Sequence, residues 1–142
     1  MFTDTNINFD DSMLFFREMR RMRQMLPYDE TLEILERGKT AVLGVIGDYG
    51  YPYTVPVNYV YYHDKIYIHC AKSGHKIDAI KEEAKVSLCI VDRDEILQEK
   101  YTTLFKSVIL FGKARLLTDE GEMRETVTAL AEKYCPDAKE GI

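Results

Sequence analysis

Tyr53-Thr54-Val55-Pro56-Val57-Asn58-Tyr59-Val60-Tyr61-Tyr62-His63-Asp64-Lys65-Ile66-Tyr67-Ile68-His69-Cys70-Ala71 decides the fold class. Val, Ile and Tyr dominate the stretch, and these residue types suit a pleated, half-buried surface. His63-Asp64 reads as a tight turn between two strands, 53–62 and 65–71, so the chain doubles back antiparallel. Pro56 has no N–H to give a ladder, which puts its strand at an edge or at a bulge. In the second strand Ile66, Ile68 and Cys70 alternate with Tyr67, His69 and Ala71. With the first set filling the interior, His69 faces outward into a groove or a subunit interface.

Outward from this hairpin the period changes twice. Thr40–Ile46 reads as a buried strand and Gly47–Gly50 as a turn. Lys85–Val91 is a further strand, and Tyr101–Leu117 supplies one or two more, interrupted near Gly112. Helical spacing marks Asp29–Arg37, stopped by Gly38, and a short helix from His75 to about Lys81. A closing helix over Asp119–Tyr134 sets Met123, Val127, Leu130 and Tyr134 on one face. Met13–Leu26 places Phe15, Met19, Met22 and Leu26 among four arginines at helical spacing. That segment is either a basic amphipathic helix for an anionic surface or an arm packed on its own domain or a second subunit. Residues 1–12 read as a flexible lead and residues 13–142 as a single domain. Five or six strands in hairpin order with flanking helices indicate an α+β fold built on a small antiparallel barrel.

The totals narrow the function. A chain of 142 residues with 46% hydrophobic and 30% charged content fits one globular domain. A net charge of -5 argues against a non-specific nucleic-acid binder, which needs a basic surface. No apolar run approaches the ~20 residues of a membrane span, and the N-terminus lacks the basic-then-apolar order of a signal peptide. Three cysteines without a CxxC spacing do not make a disulfide framework, so a cytoplasmic setting is expected.

The chemistry concentrates in Lys72-Ser73-Gly74-His75-Lys76. A helix N-terminus carries partial positive charge and unpaired N–H groups, so a basic first turn is the wrong charge unless an anion, above all a phosphate, sits there. The plainer reading is a solvated basic turn capped by Ser73. His69 likewise reads either as a group near a ligand or as a hydrogen-bonded histidine with none. The spacing of His63, His69 and His75 matches no zinc module, so no metal is expected. The proline-broken row Tyr51–Tyr59 suits the edge and faces of a flat ring such as an isoalloxazine. Lys100–Val108 gathers hydroxyls and lysines. Both stretches also read as ordinary sheet surface.

Several of these blocks resemble a known group. Phe16–Arg21, Gly50–Tyr53 with Val55–Tyr61, Ile66–Asp78, Glu99–Thr103 and Ser107–Ala114 are similar, in that order, to the nitroimidazole-resistance (Nim) proteins. These belong to the pyridoxamine-5'-phosphate-oxidase-like split-barrel superfamily, and the resemblance spans about residues 15–135. It implies a six-stranded antiparallel split β-barrel with flanking helices, and a homodimer holding flavin mononucleotide (FMN) at the subunit interface. Pro56, Val57 and Asn58 would edge the flavin ring, with His69 beside it as the catalytic candidate. Ala71 and Ser73 belong to the same binding stretch as Lys72, His75 and Lys76, which would hold the phosphate. Tyr101, Thr102 and Ser107 would also touch the flavin, from the second subunit. The implied activity is an FMN-dependent oxidoreductase acting on nitro-aromatic or similar small planar acceptors, with a nicotinamide or another reductant as electron donor. The alternative is a non-catalytic flavin- or haem-binding protein that stores or senses its cofactor.

Overall fold

The computed structural model describes residues 2–4, 26, 28–71, 73–97 and 102–137, with side chains described for all of these except 2–4, 93–97 and 102–105. The expected basic arm lies outside the described residues apart from Leu26, which packs on the core.

Three strands follow from the alternation of burial. β2 (Ala41–Ile46) buries Ala41, Leu43 and Val45 and turns Val42 and Ile46 outward. It pairs with β3 (Pro52–Val57) on one side and β6 (Lys85–Leu97) on the other. β7 (Thr102–Arg115) returns along the length of β6. The expected break near Gly112 does not occur; Gly112 lies in register opposite Val86.

The expected strand 53–62 is in fact two. β3 stops at Val57, and β4 (Val60–Tyr62) pairs with β5 (Lys65–Tyr67) across the His63-Asp64 turn. Both turn residues have positive φ, 49° and 60°, the conformation that a two-residue hairpin needs. Tyr59 causes the break. Its ring is fully buried and its hydroxyl donates to the Leu35 carbonyl at 2.9 Å, at the end of α1 (Tyr28–Arg37). The backbone N–H and carbonyl of Tyr59 are engaged by the Tyr134 and Lys133 side chains, not by a ladder, and no period announces that in sequence. Gly38 gives the ring room, since a Cβ there would strike Tyr59 Oη and Ile90.

β1 (Phe2–Asp4) lies between β7 and β5, in the stretch that reads as a flexible lead. It supplies backbone partners to two strands, and three paired residues need no side-chain period to do so. The sheet among the described residues therefore has seven strands, not six, ordered β3-β2-β6-β7-β1-β5-β4 and antiparallel throughout. No ladder closes it. Its two edge strands, β3 and β4, are nevertheless joined by Asn58-Tyr59 alone, a link that reaches at most roughly 11 Å. The sheet must curl until its edges meet at that corner. Pro56 sits on an edge strand, as its missing N–H demands.

The core lies inside the curl, with Ile34 and Leu35 of α1, Leu43, Ile66, Ile68, Leu88 and Ile90 almost wholly buried. α2 (His75–Glu82) adds Ala79 and Ile80. A register shift between Val91 and Arg93 pushes Asp92 out of the β6 ladder. Arg37 meets it with a two-pronged contact, Nε to Oδ1 at 3.0 Å and Nη2 to Oδ2 at 2.8 Å. Hydrogen bonding to this guanidinium holds the Asp92 carboxyl below its ordinary value.

α3 (Glu120–Tyr134) starts on Asp119, whose side chain accepts from Glu122 N–H at 2.8 Å. Its far end pins the β3–β4 link. The Tyr134 hydroxyl accepts from Tyr59 N–H at 3.0 Å, and Lys133 Nζ donates to the Tyr59 carbonyl at 2.9 Å while lying 3.9 Å over the Tyr59 ring. Burial pushes the Lys133 ammonium down from 10.5 to about 8. Between about pH 8 and 10 the unfolded chain therefore keeps a proton that the folded chain has shed, and stability rises with pH. Burial also raises three tyrosines, Tyr59, Tyr134 and Tyr61, the last to about 12. Above about pH 10 these three ionise first in the unfolded chain, and stability falls. Urea midpoints should rise modestly from pH 8 towards 10 and then drop; in Lys133→Met the rise should vanish. An unaltered rise would place its origin elsewhere.

Candidate functional site

The alternation in and beyond β5 places the key residues. Ile66 and Ile68 join the main core, while Tyr67 packs with Val60 in a second cluster beneath α3. β5 ends at Tyr67, earlier than expected, so His69 lies beyond the strand, and it is exposed. Its ladder with β4 stops at Val60↔Tyr67, two residues short of Asn58 and of His69. Both therefore sit just past the same end of the hairpin.

His69 and Ala71 line a groove of about 480 Å³ between the end of β5 and α3. Ile68, Met123, Val127 and Leu130 make much of its wall apolar. Met123 and Val127, which the sequence sets on one apolar face of the closing helix, are partly exposed, 41% and 37%. They line this groove, and helical spacing alone does not separate such residues from core.

Beyond Ala71 the chain enters α2. Gly74 is its N-cap, with φ 137° and ψ 178°, a conformation open to glycine and strained for other residues. Ser73 does not cap the helix, and among the described residues no side chain does. The first-turn N–H groups are thus left to another acceptor. Lys76 is half-buried in that turn, and among the described residues no ion pair engages it. Ser73 is exposed; Lys72 lies outside the described residues.

His75 has a different setting. Its Nε2 accepts from Asp48 N–H at 3.3 Å, in the turn between β2 and β3, and its ring lies 4.2 Å from that of Tyr53.

The remaining expected residues are divided. Pro56 on β3 and Asn58 just past its end are exposed, whereas the Val57 side chain is in the core, leaving only its backbone for a ligand. Ser107 lies on the outer face of β7 opposite Val91, far along the sheet from the α3 groove. Thr102 begins β7 opposite Leu97, its side chain outside the described set, as is Tyr101 altogether. Among the described side chains, one chain does not gather these residues into one cavity.

The outer sheet face carries a second, larger groove of about 930 Å³. Gly44, Ile46, Thr54, Ser87, Phe111 and Gly112 contribute to its lining. Around it Val42, Ile46, Val91, Ile109 and Phe111 are 40–60% exposed, a larger apolar surface than a solvated sheet face ordinarily shows.

The family model described as pyridoxamine 5'-phosphate oxidase matches residues 27–142. The chain belongs to the pyridoxamine 5'-phosphate oxidase family. No curated protein sequence matches it. Among solved structures, a candidate 5-nitroimidazole antibiotic resistance protein from Bacteroides thetaiotaomicron superposes with a TM-score of 0.69 at 21% identity, over 80% of this chain and 69% of that one. The flavocytochrome Anf3 from Azotobacter vinelandii superposes at 0.74 with 21% identity, over 89% of this chain and 60% of its own. A FAD-binding protein from Mesorhizobium loti gives 0.59 at 24% identity, over 75% and 76%. At these identities the likeness establishes the fold of this family member. Among its described residues no helix is long and apolar enough to cross a membrane.

Proposed function

We propose that this family member binds FMN and, in the cytoplasm, uses it to reduce small planar acceptors, nitro-aromatic compounds among them. The observation that carries the reading is the N-terminus of α2, where N–H groups without a side-chain cap stand beside Lys76. That arrangement fits a phosphate group. Family membership supports FMN, and the flavocytochrome and FAD-binding relatives support a flavin more broadly. A bound flavin supplies reversible electron transfer, here from a nicotinamide or another reductant.

The chain's own residues then divide the work. Lys76, Ser73 and Lys72 hold the phosphate end. Pro56 and Asn58, with the backbone of Val57, edge the ring. His69 stands at the mouth of the α3 groove, where it orients an acceptor or gives it a proton, chemistry that imidazole performs near neutral pH. The apolar wall excludes water and suits a flat organic acceptor.

The outer sheet face is the seam of a homodimer in this reading. Its exposed apolar residues flank Ser107, so a second copy brings Tyr101, Thr102 and Ser107 to the flavin from across the seam. Ile109→Lys should sediment as a monomer; a dimer of undiminished affinity would put the seam elsewhere.

His69→Ala tests the reaction. Flavin content should stay unchanged while turnover of a nitro-aromatic acceptor falls about a hundredfold, the low end of what a positioned acid contributes. Unchanged turnover would remove His69 from the chemistry. The likeness to a flavocytochrome favours one second reading, a protein that stores or senses flavin or haem, with exposed His69 or His75 as axial ligand. The two readings part on whether an added acceptor reoxidises the reduced cofactor faster than air does.

A further inference from the structure

His75 is the first residue of α2 and one of the cationic candidates at its N-terminus, yet its contacts are not those of a cation. A backbone N–H can only donate, so the 3.3 Å contact from Asp48 N makes His75 Nε2 the acceptor. An imidazole that accepts at Nε2 carries its proton on Nδ1. The His75 ring also stacks on Tyr53 at 4.2 Å with the planes 31° apart. Gly47 completes the seat, because a Cβ there would lie 2.8 Å from Nε2. The Asp48 carboxylate is farther off, with Oδ2 at 3.9 Å. Three features of the β2–β3 hairpin (an N–H, an aromatic face and a bare Cα) thus converge on one imidazole.

We propose that His75 is a positioning residue, a neutral clamp that ties the N-terminus of α2 to the β2–β3 turn and so fixes the anion-binding N–H groups and Lys76. The assignment rests on the phosphate reading of that helix end, but it replaces one part of it: His75 acts through the lone pair on Nε2, not through charge. It also gives Gly47 a role, since a methyl group there would press on the ring at Nε2 and, less closely, on the Tyr51 carbonyl and Tyr53 Cβ.

Two substitutions separate the clamp from a phosphate-binding cation. His75→Gln keeps an acceptor for Asp48 N–H and carries no charge; His75→Lys keeps a charge and loses the acceptor. FMN and riboflavin affinities are measured for both, for Gly47→Ala and for the unaltered protein, after thermal unfolding shows each variant folded. The clamp predicts that Gln holds the preference for FMN over riboflavin within about threefold, while Lys and Gly47→Ala each lose about tenfold, the scale of one lost hydrogen bond. Retention by Lys with loss in Gln would overturn it in favour of a cation on the phosphate. Loss in both His75 variants, or in neither, or an unaffected Gly47→Ala, would also overturn it. Imidazole nitrogen NMR of the unaltered protein gives a readout independent of flavin. A proton on Nδ1 with Nε2 bare supports the clamp, and a proton on Nε2 refutes it. If that tautomer is present but no flavin binds, the flavin reading fails and the clamp stands.

Discussion

Tyr59→Ala should destabilise the fold by about 3–5 kcal/mol, the range for deleting a large buried aromatic ring. The side chain is fully buried, with its hydroxyl on the Leu35 carbonyl. Its own peptide is gripped by Tyr134 and Lys133 from α3. One residue therefore connects the end of α1, the corner where the sheet edges meet, and the end of α3. Tyr59→Phe isolates the hydroxyl and should cost about 1–2 kcal/mol, since it leaves a buried carbonyl without that donor. Urea unfolding of both variants checks the pair. A loss under about 1 kcal/mol for Tyr59→Ala would mean that the corner is held by other contacts.

Lys76→Glu should weaken FMN binding by about a hundredfold or more while changing riboflavin affinity little. The loss of a charge-assisted contact and the new repulsion both act on the phosphate alone. Lys76 is half-buried in the first turn of α2, where no side chain caps the helix, so the replaced charge is not simply solvated away. Fluorescence titration with the two flavins reads the ratio directly. Equal losses for both would move the phosphate to another part of the molecule.

Much of this architecture was legible in the sequence because it rests on local rules. A short apolar run marked β2, helical spacing marked α1 and α3, and the missing N–H of Pro56 put its strand at an edge or a bulge; β3 is an edge strand. What stayed hidden depends on contacts distant in sequence. Tyr59 looks like one more tyrosine in a β-rich run, and only α1 and α3 show why the strand must break there. β1 is held by ladders to β5 and β7, which no pattern within three residues can announce. The loop proposed to hold phosphate stands out in the sequence as a charge anomaly at a helix start. The role of His75 does not, because its partners come from the β2–β3 turn 27 residues earlier. Met123 and Val127 show the converse, apolar residues at helical spacing that line a groove instead of filling the core.

The most direct test of the central claim is the visible absorption spectrum of the protein purified from cells without added cofactor, followed by identification of whatever denaturation releases. The account predicts the paired bands of a flavin and release of FMN. A colourless protein that also takes up no added FMN would contradict it, and the uncapped start of α2 would then need a different anion.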